Sequence, residues 1–279
     1  MKLLDGRIAR EHYIESLIKR VNELYFTPFL IIIQIGNRPD SDSFIKAKKS
    51  FAKKIGVKEL HIQLDENVKQ AEVLEIVNKY NKDVSVNGII IQLPLPIHLN
   101  SEIIIDAIDP KKDVDGLTSF NIKRLVSGHD ETTIPATARG IRQLFQFYNI
   151  DLFGKKVVVI GRSTLVGKPV ALMCLNENAT VTICHSKTKN LKEETKKADI
   201  IMVAIGKPNF ITNEYINKDQ IVIDIGISRQ ADNTLTGDVD FQSVKDIVGM
   251  ITPVPGGVGQ MTVLALFENL IDACYNKIN

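Results

Sequence analysis

The segment Phe29-Leu30-Ile31-Ile32-Ile33-Gln34-Ile35 is apolar almost without a break and stops at Gly36. A strand with one face in water alternates between apolar and polar residues. A continuous run is buried on both faces, as in parallel sheets covered by helices. The rest of the chain repeats that theme. Helical periodicity over 8–24 precedes the run. A helix at about 41–55, a strand at Lys58–Leu64, a helix at 68–80 and a second buried strand at 87–93 follow it, and Pro94 and Pro96 stop that strand. Ser101 is expected to cap a short helix through 108. A polar stretch at 127–138 reads as a crossing between domains. The pattern then restarts with strands at Lys156–Ile160, 179–184, 199–205 and 220–225, and ends on a helix at 261–277. The fold class is therefore α/β, two successive sets of right-handed βαβ units.

At 279 residues the chain has room for about two domains. Its 35 basic and 33 acidic residues leave a formal charge of +2, which gives no reason to expect nucleic acid or an anionic membrane as partner. The apolar runs are too short to cross a bilayer, and the N-terminus carries no signal-peptide pattern. Cys174, Cys184 and Cys274 are widely spaced and form neither a zinc pattern nor a disulfide framework. A cytoplasmic protein without a metal site is the expectation.

The helix at 41–55 carries a chemical signal. At about 100° per residue, Phe44, Lys48, Phe51 and Ile55 share a stripe roughly 60° wide. Lys46, Lys49 and Lys53 fall on the opposite face and read as a solvated surface. Lys48 projects from the apolar stripe, so it either snorkels past its neighbours or is held in a cleft. Partial desolvation would favour its neutral form and suit it to proton transfer. Gln92 ends a buried strand and is aimed at the crevice where parallel sheets bind ligands. Asp113-Val114-Asp115-Gly116 reads either as an Asx-type turn or as a carboxylate able to grip a planar amidine-like edge.

In the second half, Val157-Val158-Val159-Ile160-Gly161-Arg162-Ser163 with Val166, Gly167 and Pro169 reads as strand, glycine turn and helix start. Such a turn lets the backbone approach a pyrophosphate. The strand at 179–184 is followed by His185-Ser186-Lys187, where an acidic residue would favour NAD. Ser186, Lys187 and Arg162 favour the 2′-phosphate of NADP instead.

Taken together, six segments in order resemble the bifunctional methylenetetrahydrofolate dehydrogenase/methenyltetrahydrofolate cyclohydrolase family. They are the Phe44 to Lys48 helix, Gly88 to Pro96, Lys112 to Gly116, Val159 to Pro169, Cys184 to Thr188, and Thr252 to Thr262. The resemblance implies a folate domain of residues 1–119 and 260–279, an NADP-binding Rossmann domain of residues 120–259, and a cleft between them. It implies NADP-dependent oxidation of 5,10-methylenetetrahydrofolate and hydrolysis of the methenyl product to 10-formyltetrahydrofolate, in the service of purine, methionine and histidine biosynthesis. It also implies a homodimer through the nucleotide domain. The implied catalytic residues are Lys48, Gln92 and Asp115, with Phe44, Leu93, Pro94, Pro255, Gly256 and Gly257 on the substrate. Gly161, Arg162, Ser163, Val166, Gly167, His185, Ser186 and Ile227 would hold NADP.

Three positions depart from the family pattern. Phe44 stands where tyrosine is usual, Pro135-Ala136-Thr137-Ala138 where Pro-Cys-Thr-Pro is usual, and Gln260 where proline is usual. They leave open a dehydrogenase with weak or absent cyclohydrolase activity, and a folate- or NADP-binding module without catalysis. The joint presence of Lys48, Gln92 and Asp115 speaks against the second.

Overall fold

The computed structural model describes residues 1–129, 133–230, 232 and 234–278. Residues 130–132, inside the expected crossing, lie outside them. In chain order the elements are β1 (Lys2–Leu3), α1 (Gly6–Asn22), β2 (Phe29–Ile35), α2 (Pro39–Ile55), β3 (Lys58–Leu64), α3 (Gln70–Lys82), β4 (Gly88–Ile91), α4 (Ser101–Asp106), α5 (Ser119–Val126) and α6 (Ala136–Tyr148). They continue with β5 (Lys156–Ile160), α7 (Gly167–Asn176), β6 (Thr180–Cys184), α8 (Leu191–Lys196), β7 (Ile200–Val203), β8 (Ile221–Asp224), β9 (Ser228–Arg229), β10 (Leu235–Thr236), α9 (Phe241–Val244), β11 (Met250–Ile251) and α10 (Val258–Ile278). They divide into two compact units, residues 1–12 with 137–262 and residues 13–136 with 263–279.

The unit of residues 13–136 and 263–279 is built on a parallel sheet in the order β3-β2-β4. Leu30 pairs with Gly88 and Ile33 with Ile91. On one face Ile31, Ile33, Ile89 and Ile91 pack with Val73, Val77 and Ile104 from α3 and α4. The other face is closed by α10. A Cβ on Gly88 would sit 2.7 Å from methyl groups of both Leu270 and Val114, which the absent side chain lets pack this close. The Phe51 and Phe267 rings meet at 5.2 Å, locking α2 to α10. Burial on both faces is what the unbroken run demanded.

The expected cap at Ser101 lies one residue upstream. Asn100 Oδ1 accepts the N–H groups of Glu102 (3.0 Å) and Ile103 (3.2 Å), the amides an N-cap side chain can reach. The boundary expected after residue 119 and the division at 136 differ by α5. Thr118 caps that helix, and Asn121 donates to the Asp113 carboxylate at 2.9 Å, so α5 is tied to the 113–116 loop.

The other unit holds a six-stranded parallel sheet in the order β1-β11-β8-β7-β5-β6. Strand order reverses between β5 and β7, the arrangement that leaves a crevice at the carboxyl ends. Strand β1 pairs with β11 through Lys2 and Met250, which brings the first residues into this unit. Helix α6 contains Gly140, where a Cβ would lie 2.6 Å from the Met261 backbone. Close packing explains a glycine inside a helix that costs about 1 kcal/mol relative to alanine.

Candidate active site

Helix α2 has Pro39 in its first turn and Gly56, at φ 78°, beyond its last. Between them Phe51 and Ile55 are buried, and Lys48 shares their face with only 9% of its surface exposed. Phe44, one turn earlier, is 39% exposed, so the stripe opens toward solvent at its N-terminal end. Lys46, Lys49 and Lys53 are exposed on the far side, as the periodicity requires. Lys48 Nζ donates to Gln92 Oε1 at 2.8 Å. Gln92 follows β4, its own N–H bound to the Ile33 carbonyl at 2.8 Å. Its side-chain Nε2 donates to Leu93 O at 2.9 Å, which fixes the amide plane and presents the oxygen to Lys48. Leu93 is half-buried and Pro94 exposed beside it.

The two aspartates of the 113–116 loop have separate tasks. Asp113 is buried. Its Oδ1 accepts the Gly116 N–H at 2.9 Å, and its Oδ2 accepts the Thr118 N–H at 2.8 Å and the Asn121 side-chain amide at 2.9 Å. It is the turn-former. Gly116, at φ 72°, could carry no Cβ, because the Pro135 nitrogen would lie 2.8 Å away. Asp115 is thereby left half-buried and electrostatically coupled to Lys48. Burial pushes the Lys48 amine below the usual lysine value while the Asp115 charge pulls it back. Burial pushes the Asp115 carboxyl above the usual range, Lys48 opposes this, and Asp113 adds to it. The result is a buried amine lowered from the usual lysine value and held at one N–H by Gln92.

In the unit of the six-stranded sheet, Gly161 ends β5 at φ 127°, and any Cβ there would collide with the Ala204 carbonyl. A Cβ on Gly167 would collide with the Gly161 carbonyl, so the two glycines seat the start of α7 against the turn. The Gly161 N–H reaches Cys184 O at 2.9 Å. Ser163 Oγ accepts the N–H groups of Val166 and Gly167, each at 3.2 Å, and so holds the turn that leads into α7. Ile160 pairs with Cys184, which sets Arg162 and Ser186 equally far beyond two adjacent strand ends. Both are exposed. His185 organises the second of these turns: its Nδ1 accepts the Lys187 N–H at 3.1 Å, and its own N–H meets Thr188 Oγ1 at 2.9 Å. Ile227 is exposed beyond β8. Pro255, Gly256 and Gly257 form the loop between β11 and α10, where the Gly256 carbonyl accepts the Gly6 N–H at 2.8 Å. Gln260 Oε1 takes a hydrogen bond from Arg10 at 2.5 Å.

Cys174, Cys184 and Cys274 are buried free thiols. Burial pushes Cys174 and Cys274 up to about 12, far from the range of a nucleophile. Among the described residues no group of three His, Cys, Asp or Glu side chains is placed to hold a metal, and no helix is long and apolar enough to cross a membrane. Sequence reasoning passed over two buried carboxylates, Asp224 and Asp238. The one signal for the first is an acidic residue closing the apolar run of β8.

Comparison with known proteins bears on both units. Residues 4–115 match the model of the tetrahydrofolate dehydrogenase/cyclohydrolase catalytic domain, and residues 135–278 match that of the same family's NAD(P)-binding domain. The bifunctional protein FolD of Agathobacter rectalis is 47% identical over 274 residues, spanning 97% of this chain and 98% of that protein. The crystal structure of the bifunctional dehydrogenase/cyclohydrolase FolD from Campylobacter jejuni superposes with a TM-score of 0.96 at 40% identity, covering 99% of each chain. The Trypanosoma brucei dehydrogenase-cyclohydrolase, solved with NADP cofactor and an inhibitor, gives 0.94 at 31% identity over 99% of this chain and 97% of its own.

Proposed function

The chain belongs to the tetrahydrofolate dehydrogenase/cyclohydrolase family, and from that premise we propose that Lys48, Gln92 and Asp115 are its folate-reacting centre and that Arg162 and Ser186 select its nucleotide. The enzyme oxidises 5,10-methylenetetrahydrofolate to the 5,10-methenyl form with NADP, and hydrolyses that product to 10-formyltetrahydrofolate. The nucleotide unit suits NADP on its own chemistry. It has a glycine turn closed to any Cβ, an exposed guanidinium and hydroxyl beyond neighbouring strands, and no acidic residue at the end of β6.

NADP, which the Gly161 turn, Arg162 and Ser186 would hold, would supply the acceptor for a hydride (two electrons with one proton) from the methylene carbon. The protein's contribution to that step is orientation, since alignment of reacting atoms supplies the rate advantage without an acid or base. Hydrolysis is different. Water adds to the methenyl carbon and gives up both protons as the formyl oxygen forms, one reaching the departing ring nitrogen and the other the solvent. Lys48 moves the proton bound for the nitrogen, because burial lowers the amine below the usual lysine value and so favours its neutral form. Gln92 fixes the direction of Nζ, and the Asp115 charge opposes the effect of burial on the amine. The Asp115 carboxylate also offers paired acceptors to the amidine-like edge of a pterin. The exposed Phe44 ring gives that pterin a surface to stack on.

The observation that carries the reading is the 2.8 Å bond from a buried lysine to a glutamine at a strand's carboxyl end. The test follows NADPH and methenyl absorbance together on one methylene substrate. NADPH should rise steadily while the methenyl signal stays low, and a Gln92→Ala variant should let it accumulate. Methenyl decay no faster with the protein than without it would sink the hydrolytic assignment.

A further inference from the structure

Asp224 and Asp238 take no part in the chemistry above, yet they are 3% and 0% exposed. Backbone amides satisfy them. Asp238 Oδ2 accepts the N–H groups of Ile205 (2.7 Å) and Gly206 (3.0 Å), and its Oδ1 accepts that of Lys207 (2.7 Å). Three consecutive amides are folded round one carboxylate. Asp224 Oδ1 accepts from Gly226 at 3.1 Å and from the Asp238 N–H at 3.0 Å, and its Oδ2 accepts from Val239 at 2.9 Å. The Thr252 hydroxyl accepts the Asp224 N–H at 2.8 Å. No side chain fits between the parts: a Cβ on Gly226 would collide with the Asp238 carboxyl, and one on Gly237 with the Asp224 carboxyl. Asp238 therefore shapes the loop after β7. Asp224 shapes the turn after β8 that leads to Ile227, and holds Asp238 in place through its amide.

These loops stand at the carboxyl ends of β7 and β8, on one side of the point where strand order reverses. A dinucleotide lies across such a point. With Arg162 and Ser186 beyond β5 and β6 taking the adenosine 2′-phosphate, the nicotinamide half falls on the β7–β8 side. Ala204, next to the gathered amides, is also the residue whose carbonyl excludes a Cβ from Gly161. The loop and the glycine turn are thus packed as one surface.

We propose that Asp238, backed by Asp224, is a positioning residue for the dinucleotide, fixing the 205–207 loop and the Gly226–Ile227 turn against which the nicotinamide half lies. The proposal rests on Arg162 and Ser186 holding the adenosine end. Asp238→Asn keeps the shape but turns one accepting oxygen into an NH2 that faces a backbone N–H. Calorimetry on this variant should show NADP binding weakened about tenfold or more, with adenosine 2′,5′-bisphosphate, which lacks the nicotinamide half, bound as by the unaltered protein. Equal loss for both ligands, or loss for neither, overturns the proposal. An Arg162→Ala variant separates the two ideas: if it binds adenosine 2′,5′-bisphosphate normally, the adenosine placement itself is wrong. A measurement on the unaltered protein guards against a variant that does not fold. Amides 205–207 should be protected from hydrogen exchange before NADP is added. Free exchange there, with protection arising only on NADP binding, contradicts a preset loop.

Discussion

Replacing Lys48 by methionine separates the two activities. Methionine keeps an unbranched stem of similar volume among Phe51 and Ile55, so repacking costs less than about 1.5 kcal/mol. Gln92 Oε1 loses its donor, a penalty of about 1–3 kcal/mol for a buried acceptor. Against this, the desolvation cost of a buried ammonium, several kcal/mol, disappears. The terms oppose one another, and the net change in stability should stay within about 2 kcal/mol. The kinetic effect is larger. A positioned acid–base group contributes about 10²- to 10⁴-fold, so hydrolysis should fall by that factor, about 3–5 kcal/mol in barrier. Because Arg162 and Ser186 belong to the other unit, NADP affinity measured by calorimetry should not change. The assay is decay of methenyltetrahydrofolate absorbance in excess substrate, with circular dichroism to confirm the fold. Hydrolysis within about threefold of the unaltered enzyme, in a folded variant, refutes proton transfer by Lys48.

Three further outcomes follow from the same geometry. Arg162→Ala should raise the KM for NADP about ten- to a hundredfold while that for NAD moves little, because a charge-assisted contact to a phosphate is worth about 1.5–3 kcal/mol; steady-state kinetics with both dinucleotides reads the difference. Phe44→Tyr places a hydroxyl at a part-exposed position one turn from Lys48 and should speed hydrolysis about two- to tenfold, in line with one added hydrogen bond of about 0.5–1.5 kcal/mol. Burial pushes Asp224 up to about 7. The folded state then keeps a proton that the unfolded chain releases near its ordinary value, so this group makes unfolding free energy fall as pH rises from about 4 to 7. Asp224→Asn should flatten that fall by up to about 4 kcal/mol in urea titrations across the range, and an unchanged slope would show that Asp224 ionises normally.

The sequence was most readable where burial is two-sided. Phe29–Ile35 and Lys156–Ile160 run over the residues their composition marks, because an apolar run has no other stable place. Lys48 stood out as a cation in an apolar stripe, but the stripe alone left snorkelling and a cleft both open. Asp113 and Asp115 could not be told apart, because which of two alternate carboxylates turns inward depends on amides supplied by Gly116, Thr118 and Asn121. Strand β1 is two residues long and acquires its identity only by pairing with β11. Helix α6 hides behind Gly140, a residue chosen for the approach of Met261 rather than for helicity. The Ser163 hydroxyl accepts the Val166 and Gly167 amides at the entry to α7, a task the glycine turn does not announce. Asp238 left no local trace, since its three amides lie about thirty positions upstream.

The most direct measurement is an NMR titration of the Lys48 side chain, its ε-carbon isotopically labelled and assigned by the Lys48→Met spectrum. Its midpoint should lie below the usual lysine value, and should drop further in Asp115→Asn, where the opposing charge is gone. A Lys48 signal that titrates at the usual lysine value, and ignores Asp115, would contradict the account.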